Sequence, residues 1–283
     1  MKNFSRIRDI RNYLQKEKDA GKTIGFIPTM GALHEGHLSL ISRSKGENDL
    51  TVCSIFVNPI QFNNKNDLEK YPRNIPEDLD ILAKAGCNVV FIPSEDEMYP
   101  GGEPEELEID FGNLDKVLEG KYRPGHFSGV TIVVKKLLEI INPQKAYFGK
   151  KDYQQLLIIR FMVSKLQIPV EIIPCPIIRE KDGLAMSSRN LRLTIGERLI
   201  APGIFEILCI VKEKAGTMPL NQLKKWAIKN IEVNPFFRVE YIEIADKETL
   251  VPINTWKQKK NGIVLAAIYL GDIRLIDNLE LFL

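Results

Sequence analysis

The chain has 283 residues, 44% of them hydrophobic, 8% aromatic and 27% charged, with 16 Pro and 19 Gly, values that exclude a mainly disordered, collagenous or coiled-coil protein. Its 39 Lys and Arg against 37 Asp and Glu leave a net charge of +2, too small a field to draw nucleic acid or an anionic membrane, although a local anion pocket stays open. At this length roughly two domains are expected, with about three quarters of the unfolded surface buried on folding.

The N-terminus, Met1 to Arg6, runs into a charged amphipathic stretch without the apolar core of a signal peptide, and no later apolar run approaches the ~18 residues that span a bilayer. A cytoplasmic protein without a membrane partner is expected. Cys53, Cys87, Cys175 and Cys209 lie far apart with no CxxC spacing, which predicts reduced, mostly buried thiols rather than zinc ligands.

Thr23 to Pro28 is a short apolar run with β-branched residues, and after the Thr29 to Gly36 loop the spacing of His37, Leu38, Leu40 and Ile41 predicts a helix. Leu50 to Val57 reads as a second strand. Pro76 to Ala85 reads as a helix with Pro at its start and Gly86 as its stop, followed by a strand over Cys87 to Ile92. Ser94 to Asp110, rich in Glu, Pro and Gly, is expected to be an exposed loop. Helices are predicted over Phe127 to Ile141 and Tyr153 to Leu166, with strands at Ala146 to Phe148 and Val170 to Ile173. Strands alternating with helices imply an α/β fold, a Rossmann-like parallel sheet with helices on both faces and ligands at the carboxyl ends of its strands.

After about Ile178 the pattern changes. Helices are predicted around Ile195 to Lys214, interrupted by Pro202 and Gly203, and over Leu220 to Ile231, then strands at Arg238 to Ala245 and Gly262 to Leu270. The expected organisation is a domain over residues 1–178 and a smaller α+β C-terminal domain over 179–283.

All three histidines, His34, His37 and His126, lie within two residues of a glycine, company that a core histidine is not expected to keep. In His34-Glu35-Gly36-His37 two imidazoles enter a helix start, where backbone N–H groups and the helix dipole already favour an anion, so a polyphosphate cradle is one reading. A capping turn with solvated histidines, or half a metal site, are the others. Phe148-Gly149-Lys150-Lys151-Asp152 ends a strand and opens a helix. Its Lys can neutralise a phosphate and its Asp can accept from a ribose hydroxyl or hold a magnesium water, yet the same pattern serves as a solvated cap. Met186-Ser187-Ser188-Arg189-Asn190 packs hydroxyls and a guanidinium into a loop, which suits a phosphate or an ordinary polar turn. The carboxamides of Asn58 and Gln61 at a strand end, and of Gln154 and Gln155 early in a helix, can read hydroxyls and a carboxylate or merely face solvent.

In this order the elements resemble the pantoate–β-alanine ligase family of the HIGH-motif nucleotidyltransferase superfamily. The resemblance is carried by Pro28-Thr29-Met30-Gly31-Ala32-Leu33-His34-Glu35-Gly36-His37, Phe56-Val57-Asn58-Pro59 with Gln61-Phe62, Tyr71-Pro72-Arg73, Arg123-Pro124-Gly125-His126-Phe127, Phe148-Gly149 with Lys151-Asp152-Tyr153-Gln154-Gln155, Met186 to Asn190, and Arg274-Leu275-Ile276-Asp277-Asn278, so it covers essentially the whole chain. Ile60, Lys150 and Cys175 depart from residues common in the family, where Thr, Glu and Gly are usual.

The resemblance implies an ATP-dependent ligase that condenses (R)-pantoate with β-alanine through a pantoyl adenylate and releases AMP and pyrophosphate. It implies that Met30, Gly31, Ala32, Leu33, His34, Glu35, Gly36 and His37 contact ATP, with His37 as proton donor. Gly149, Lys150, Lys151, Asp152, Ile178, Met186, Ser187, Ser188 and Arg189 would complete the nucleotide site, and Gln61 and Gln155 would bind pantoate. The group set for catalysis is His34, His37, Lys151, Ser187, Ser188 and Arg189 with Mg2+, for which Asp152 is the candidate ligand. The implied partners are small-molecule substrates, with no nucleic acid and a homodimeric assembly, and the tail is expected to act as a lid. Two rivals remain: another nucleotidyltransferase of the superfamily, and a non-catalytic nucleotide-binding regulator.

Overall fold

Successive residues of a strand point to opposite faces, and in this chain both faces are apolar. Phe26, Val52, Phe91, Ala146 and Ile172 belong to one core and Ile27, Cys53, Val90, Tyr147 and Ile173 to another, all buried. A sheet so constituted has to be covered on both sides. In the computed structural model, which describes residues 1–102 and 107–281, contacts gather the chain into two units. The first comprises Met1–Asp115, Glu119–Lys150 and Gln155–Pro176, and the second Lys116–Leu118, Lys151–Gln154 and Ile177–Leu283.

The chain runs β1 (Lys2–Phe4), α1 (Ile7–Asp19), β2 (Ile24–Thr29), α2 (Glu35–Glu47), β3 (Leu50–Ile55), α3 (Lys65–Glu69), α4 (Ile75–Ala85), β4 (Val89–Phe91), α5 (Glu95–Met98), α6 (Leu118–Tyr122), α7 (His126–Ile141), β5 (Lys145–Gly149), α8 (Tyr153–Lys165) and β6 (Glu171–Cys175). These six strands form one parallel sheet in the order β1-β4-β3-β2-β5-β6. Ile10 and Leu14 of α1, the apolar face of α7, and Leu156, Ile159 and Met162 of α8 close the Phe26 side. Leu40 and Ile41 of α2 and Leu82 of α4 close the other.

The second unit continues with α9 (Ile195–Ile200), α10 (Gly203–Lys214), α11 (Leu220–Ile231), β7 (Phe237–Asp246), β8 (Gly262–Leu270) and β9 (Ile273–Glu280). Its three strands form an antiparallel sheet in the order β7-β8-β9, and Leu208, Val211, Leu223 and Ala227 pack with Ile244, Val264 and Ile268. The interruption read at Pro202 and Gly203 separates α9 from α10.

Three expectations need correction. The Ser94 to Asp110 stretch is not simply an exposed loop: Ser94 caps the single turn of α5, and Met98 and Tyr99 are buried, while residues 103–106 lie outside the described residues. His126 is a core histidine despite its glycine neighbour, 6% exposed, with Nδ1 2.9 Å from the Gln61 carbonyl. Strands β1 and β9 are additional to those read from the sequence, β1 because three residues carry no period. In β9 the Asp277-Asn278 pair masks one, although Gly271-Asp272 between β8 and β9 is a hairpin signal.

Candidate active site

From β2 the sheet grows toward β3 on one side and β5 on the other, so the carboxyl end of β2 is a topological switch point, where open α/β sheets take their ligands. Met30 to His34 leave the sheet at that point, and β5 beside it ends at Gly149. Gly31 and Ala32 both adopt left-handed backbone, with φ of 80° and 49°. A Cβ on Gly31 would lie 2.8 Å from Asp78 Oδ2, so both conformation and space demand glycine.

The clamp on this turn is Asp78 of α4, 2% exposed, whose carboxylate accepts the N–H of Ala32 at 3.0 Å and of Leu33 at 2.8 Å. Burial pushes its pKa up, opposed by those two amides. Ala32 and Leu33 therefore meet any nucleotide through groups other than their N–H. Nothing in the sequence singles out Asp78, because an acid in the first turn of a helix is commonplace and Glu77 precedes it.

His34 caps α2. Its Nδ1 accepts the Gly36 N–H at 3.1 Å, and His37 Nδ1 accepts the His34 N–H at 3.3 Å. The His37 N–H goes to the His34 carbonyl at 2.7 Å, so first-turn amides expected to greet an anion are engaged by the motif itself. What the motif gains is a defined tautomer: a ring nitrogen that accepts carries no proton, so each neutral imidazole holds its proton on Nε2. The two rings lie 4.2 Å apart between centroids, both half-buried, with Glu35 exposed between them. His126 is the opposite case, since a carbonyl accepts and its Nδ1 must donate.

At the end of β3, Asn58 and Gln61 divide the work that the sequence assigns to both. Asn58 is 1% exposed; it accepts from the Tyr99 hydroxyl at 2.8 Å and donates to the Gly129 carbonyl and to Gln61 Oε1, each at 3.1 Å. It therefore reads the protein, not a substrate. Gln61 has its Oε1 fixed by Asn58 and its Nε2 toward Met30 Sδ at 3.0 Å. Gly129 of α7 makes this packing feasible, because a Cβ there would lie 2.5 Å from the Ile60 carbonyl oxygen. Of the later pair, Gln154 is buried and donates to the Val117 carbonyl at 2.9 Å, whereas Gln155 is half-buried at the start of α8.

In the first unit Gly149 ends β5 and Lys150 follows it, both half-buried. In the second, Lys151 Nζ lies 3.8 Å from Asp152 Oδ2. The Met186 N–H pairs with the Ile178 carbonyl at 3.0 Å, and Ser187 Oγ accepts the Arg189 N–H at 3.3 Å as the cap of a 3-10 turn over Ser188–Arg192, with Ser188 buried. Among the described residues no three His, Cys, Asp or Glu side chains gather to hold a metal ion. Cys53, Cys87 and Cys175 are buried and Cys209 is half-buried; burial pushes the Cys87 thiol up to about 11, far from a reactive thiolate.

A doubly wound parallel sheet with a histidine-capped helix at its switch point defines an α/β protein of the nucleotide-binding kind. The family profile described as pantoate-beta-alanine ligase matches residues 2–280. The chain belongs to the pantoate–β-alanine ligase family, and its reaction is the joining of pantoate to β-alanine. It is 46% identical over 280 residues to the pantothenate synthetases of Porphyromonas gingivalis strain W83 and Bacteroides fragilis strain ATCC 25285, covering 99% of each chain. The crystal structure of pantothenate synthetase from Thermus thermophilus superposes with a TM-score of 0.93 at 40% identity, each chain covered fully. That of the Francisella tularensis pantoate–β-alanine ligase, complexed with β-γ ATP and β-alanine, gives 0.82 at 38% identity, covering 99% of this chain and 98% of that one. These matches decide for the ligase over the two rival readings.

Proposed function

We propose that this ligase activates pantoate with ATP, and that the histidine-capped turn at the end of β2 is where the triphosphate is handled. The pantoate carboxylate attacks the α-phosphorus and displaces pyrophosphate, forming a pantoyl adenylate. The β-alanine amine then attacks the acyl carbon, loses a proton and expels AMP. The observation that carries this reading is the paired Nδ1 acceptance of His34 and His37, which puts the proton of each neutral ring on Nε2, the tautomer that can donate to a phosphate oxygen there. Charge moves onto the pyrophosphate as the bond to the α-phosphorus breaks, and fixed donors are worth most where charge develops.

Lys151, Ser187, Ser188 and Arg189 supply the remaining cation and donors in this reading, and Gly149, Lys150, Ile178 and Met186 line the nucleotide. Gln61, with its Oε1 tied to Asn58, turns its Nε2 edge to pantoate together with Gln155. Asp152, 3.8 Å from Lys151 Nζ, is a single carboxylate and not a metal cage, so it would hold a magnesium ion only together with the phosphates of ATP. Such an ion would neutralise phosphate charge. The chain acts as a homodimer in the cytoplasm, and a solution mass of one 32.3 kDa chain overturns the dimer.

The test is a product assay with ATP, pantoate and β-alanine. AMP and pyrophosphate are expected in equal amounts and only when pantoate is present, and pantoate labelled with heavy oxygen in its carboxylate is expected to pass one label to AMP. ADP with phosphate as products, or unlabelled AMP, sinks the reading.

A further inference from the structure

The segment Arg274-Leu275-Ile276-Asp277-Asn278 of β9 carries two buried polar side chains, Asp277 and Asn278, that no chemical role has absorbed. Neighbouring residues of a strand point to opposite sides, yet Asp277 and Asn278 are each 5% exposed. A carboxylate and a carboxamide so far from water need partners. Asp277 takes Arg179 in a bidentate pair, Nη1 to Oδ2 at 2.6 Å and Nη2 to Oδ1 at 2.9 Å. Arg179 is further fixed by the face of Phe205, 3.7 Å from its ring centre, and by donation to the Gly183 carbonyl at 3.1 Å. It stands at the root of a hairpin, opposite Ala185, whose next residues are Met186 to Arg189.

Asn278 reaches the other segment. Its Nδ2 donates to the Lys151 carbonyl at 3.0 Å, its own N–H is tied to Asp277 Oδ1 at 2.7 Å, and its carbonyl accepts from Arg179 Nη2 at 3.4 Å. Two consecutive residues of one strand therefore grip the backbone that bears Lys151 and the root of the loop that bears Ser187, Ser188 and Arg189.

We propose that Asp277 and Asn278 are positioning residues for the adenylation step, setting the Lys151 backbone and the Met186 to Arg189 loop from a common strand. The proposal rests on the reading of those two segments as phosphate donors. Neither Asp277 nor Asn278 touches substrate; they act by placement, and misplacing a reacting group by about 1 Å costs on the order of 100-fold in rate.

The experiment measures pantoate-dependent exchange of pyrophosphate into ATP in a double-mutant cycle of Asn278→Ala and Lys151→Ala in the full-length protein. Asn278→Ala is expected to slow adenylate formation by about 10- to 100-fold, with the KM for pantoate unchanged. In the Lys151→Ala background the same change is expected to have little further effect, because the group it places is gone. A slow Lys151→Ala on which Asn278→Ala acts with its full additive loss overturns the proposal and leaves the site reading intact. A Lys151→Ala at wild-type rate overturns the site reading and takes the proposal with it. Should Asn278→Ala fold poorly by circular dichroism, Asn278→Ser, whose hydroxyl is too short to reach the Lys151 carbonyl, runs the same cycle. A purely structural role would lower the melting temperature without the non-additivity.

Discussion

A backbone N–H or carbonyl aimed at an imidazole nitrogen fixes where the ring keeps its proton, and three such choices are legible in this protein. His34 and His37 accept at Nδ1, and His126 donates from it. Nitrogen-15 spectra of the neutral protein are expected to show His34 and His37 as Nε2–H tautomers and His126 as Nδ1–H. The reverse assignment for either of the first two removes the donor role from that ring. His34→Ala and His37→Ala are each expected to slow adenylate formation by about 10²- to 10³-fold, the usual loss for one fixed donor to a developing charge, while pantoate binding is kept. Gln155→Ala is expected to raise the KM for pantoate instead. Asp78 offers a separate test. Its removal leaves two amides without their acceptor, at a cost of about 1 to 3 kcal/mol each, and releases a turn whose Ala32 is held at an unfavourable φ. Asp78→Ala is thus expected to lower both the melting temperature and the adenylation rate, and a variant with unaltered ATP kinetics shows that the turn holds without its clamp.

The end of α2 shows how one element is tied to its neighbours. Arg43 Nε pairs with Glu47 at 3.0 Å and Nη1 reaches the Pro174 carbonyl in β6, while Glu47 also meets Lys145 and the Tyr147 hydroxyl of β5, each at 3.0 Å. Arg43 first, then Lys145, holds the Glu47 carboxyl at about 2 against an ordinary 4.5. Because the folded value is the lower one, this contribution is complete above about pH 4.5 and is lost as the pH falls toward 2. Glu47→Gln is expected to be less stable than wild type at pH 7 and nearly equal to it near pH 2, read from urea midpoints across that range. A gap that stays constant with pH assigns the loss to packing. Elements of this kind are legible in the sequence wherever an apolar run is unbroken, as in β2 and β3, or a period of 3.6 holds, as in α7 and α11. Features settled by distant partners are not. Nothing local separates Asp78 from Glu77, or tells Asn58 apart from Gln61, because burial and hydrogen bonding are decided by α4, α7 and Tyr99. The glycine neighbour of His126 misleads for the same reason, since what buries that ring is remote in sequence.

At the scale of the whole molecule, the proposed phosphate donors are shared out unevenly along the chain. His34, His37 and Gly149 belong to the first unit, while the loop between β5 and α8 passes to the second unit at Lys151 and leaves it at Gln155. Ser187, Ser188 and Arg189 belong to the second as well, and so does Asn278, which holds the Lys151 carbonyl. A chain ended at Pro176 keeps the six-stranded sheet and the cores on its two faces but lacks three donors outright and deprives Lys151 of its anchor. Single donors are worth about 10²- to 10³-fold, and groups that act as a unit lose about as much together as the worst of them alone, so the expected fall in adenylate formation is at least about 10³-fold. Circular dichroism establishes whether the shortened chain is folded, and pyrophosphate exchange reads its activity. If it is folded and exchanges pyrophosphate at close to the full-length rate, Lys151 needs no brace and Ser187 to Arg189 form only a polar turn, so that adenylation belongs to the switch point of the parallel sheet alone.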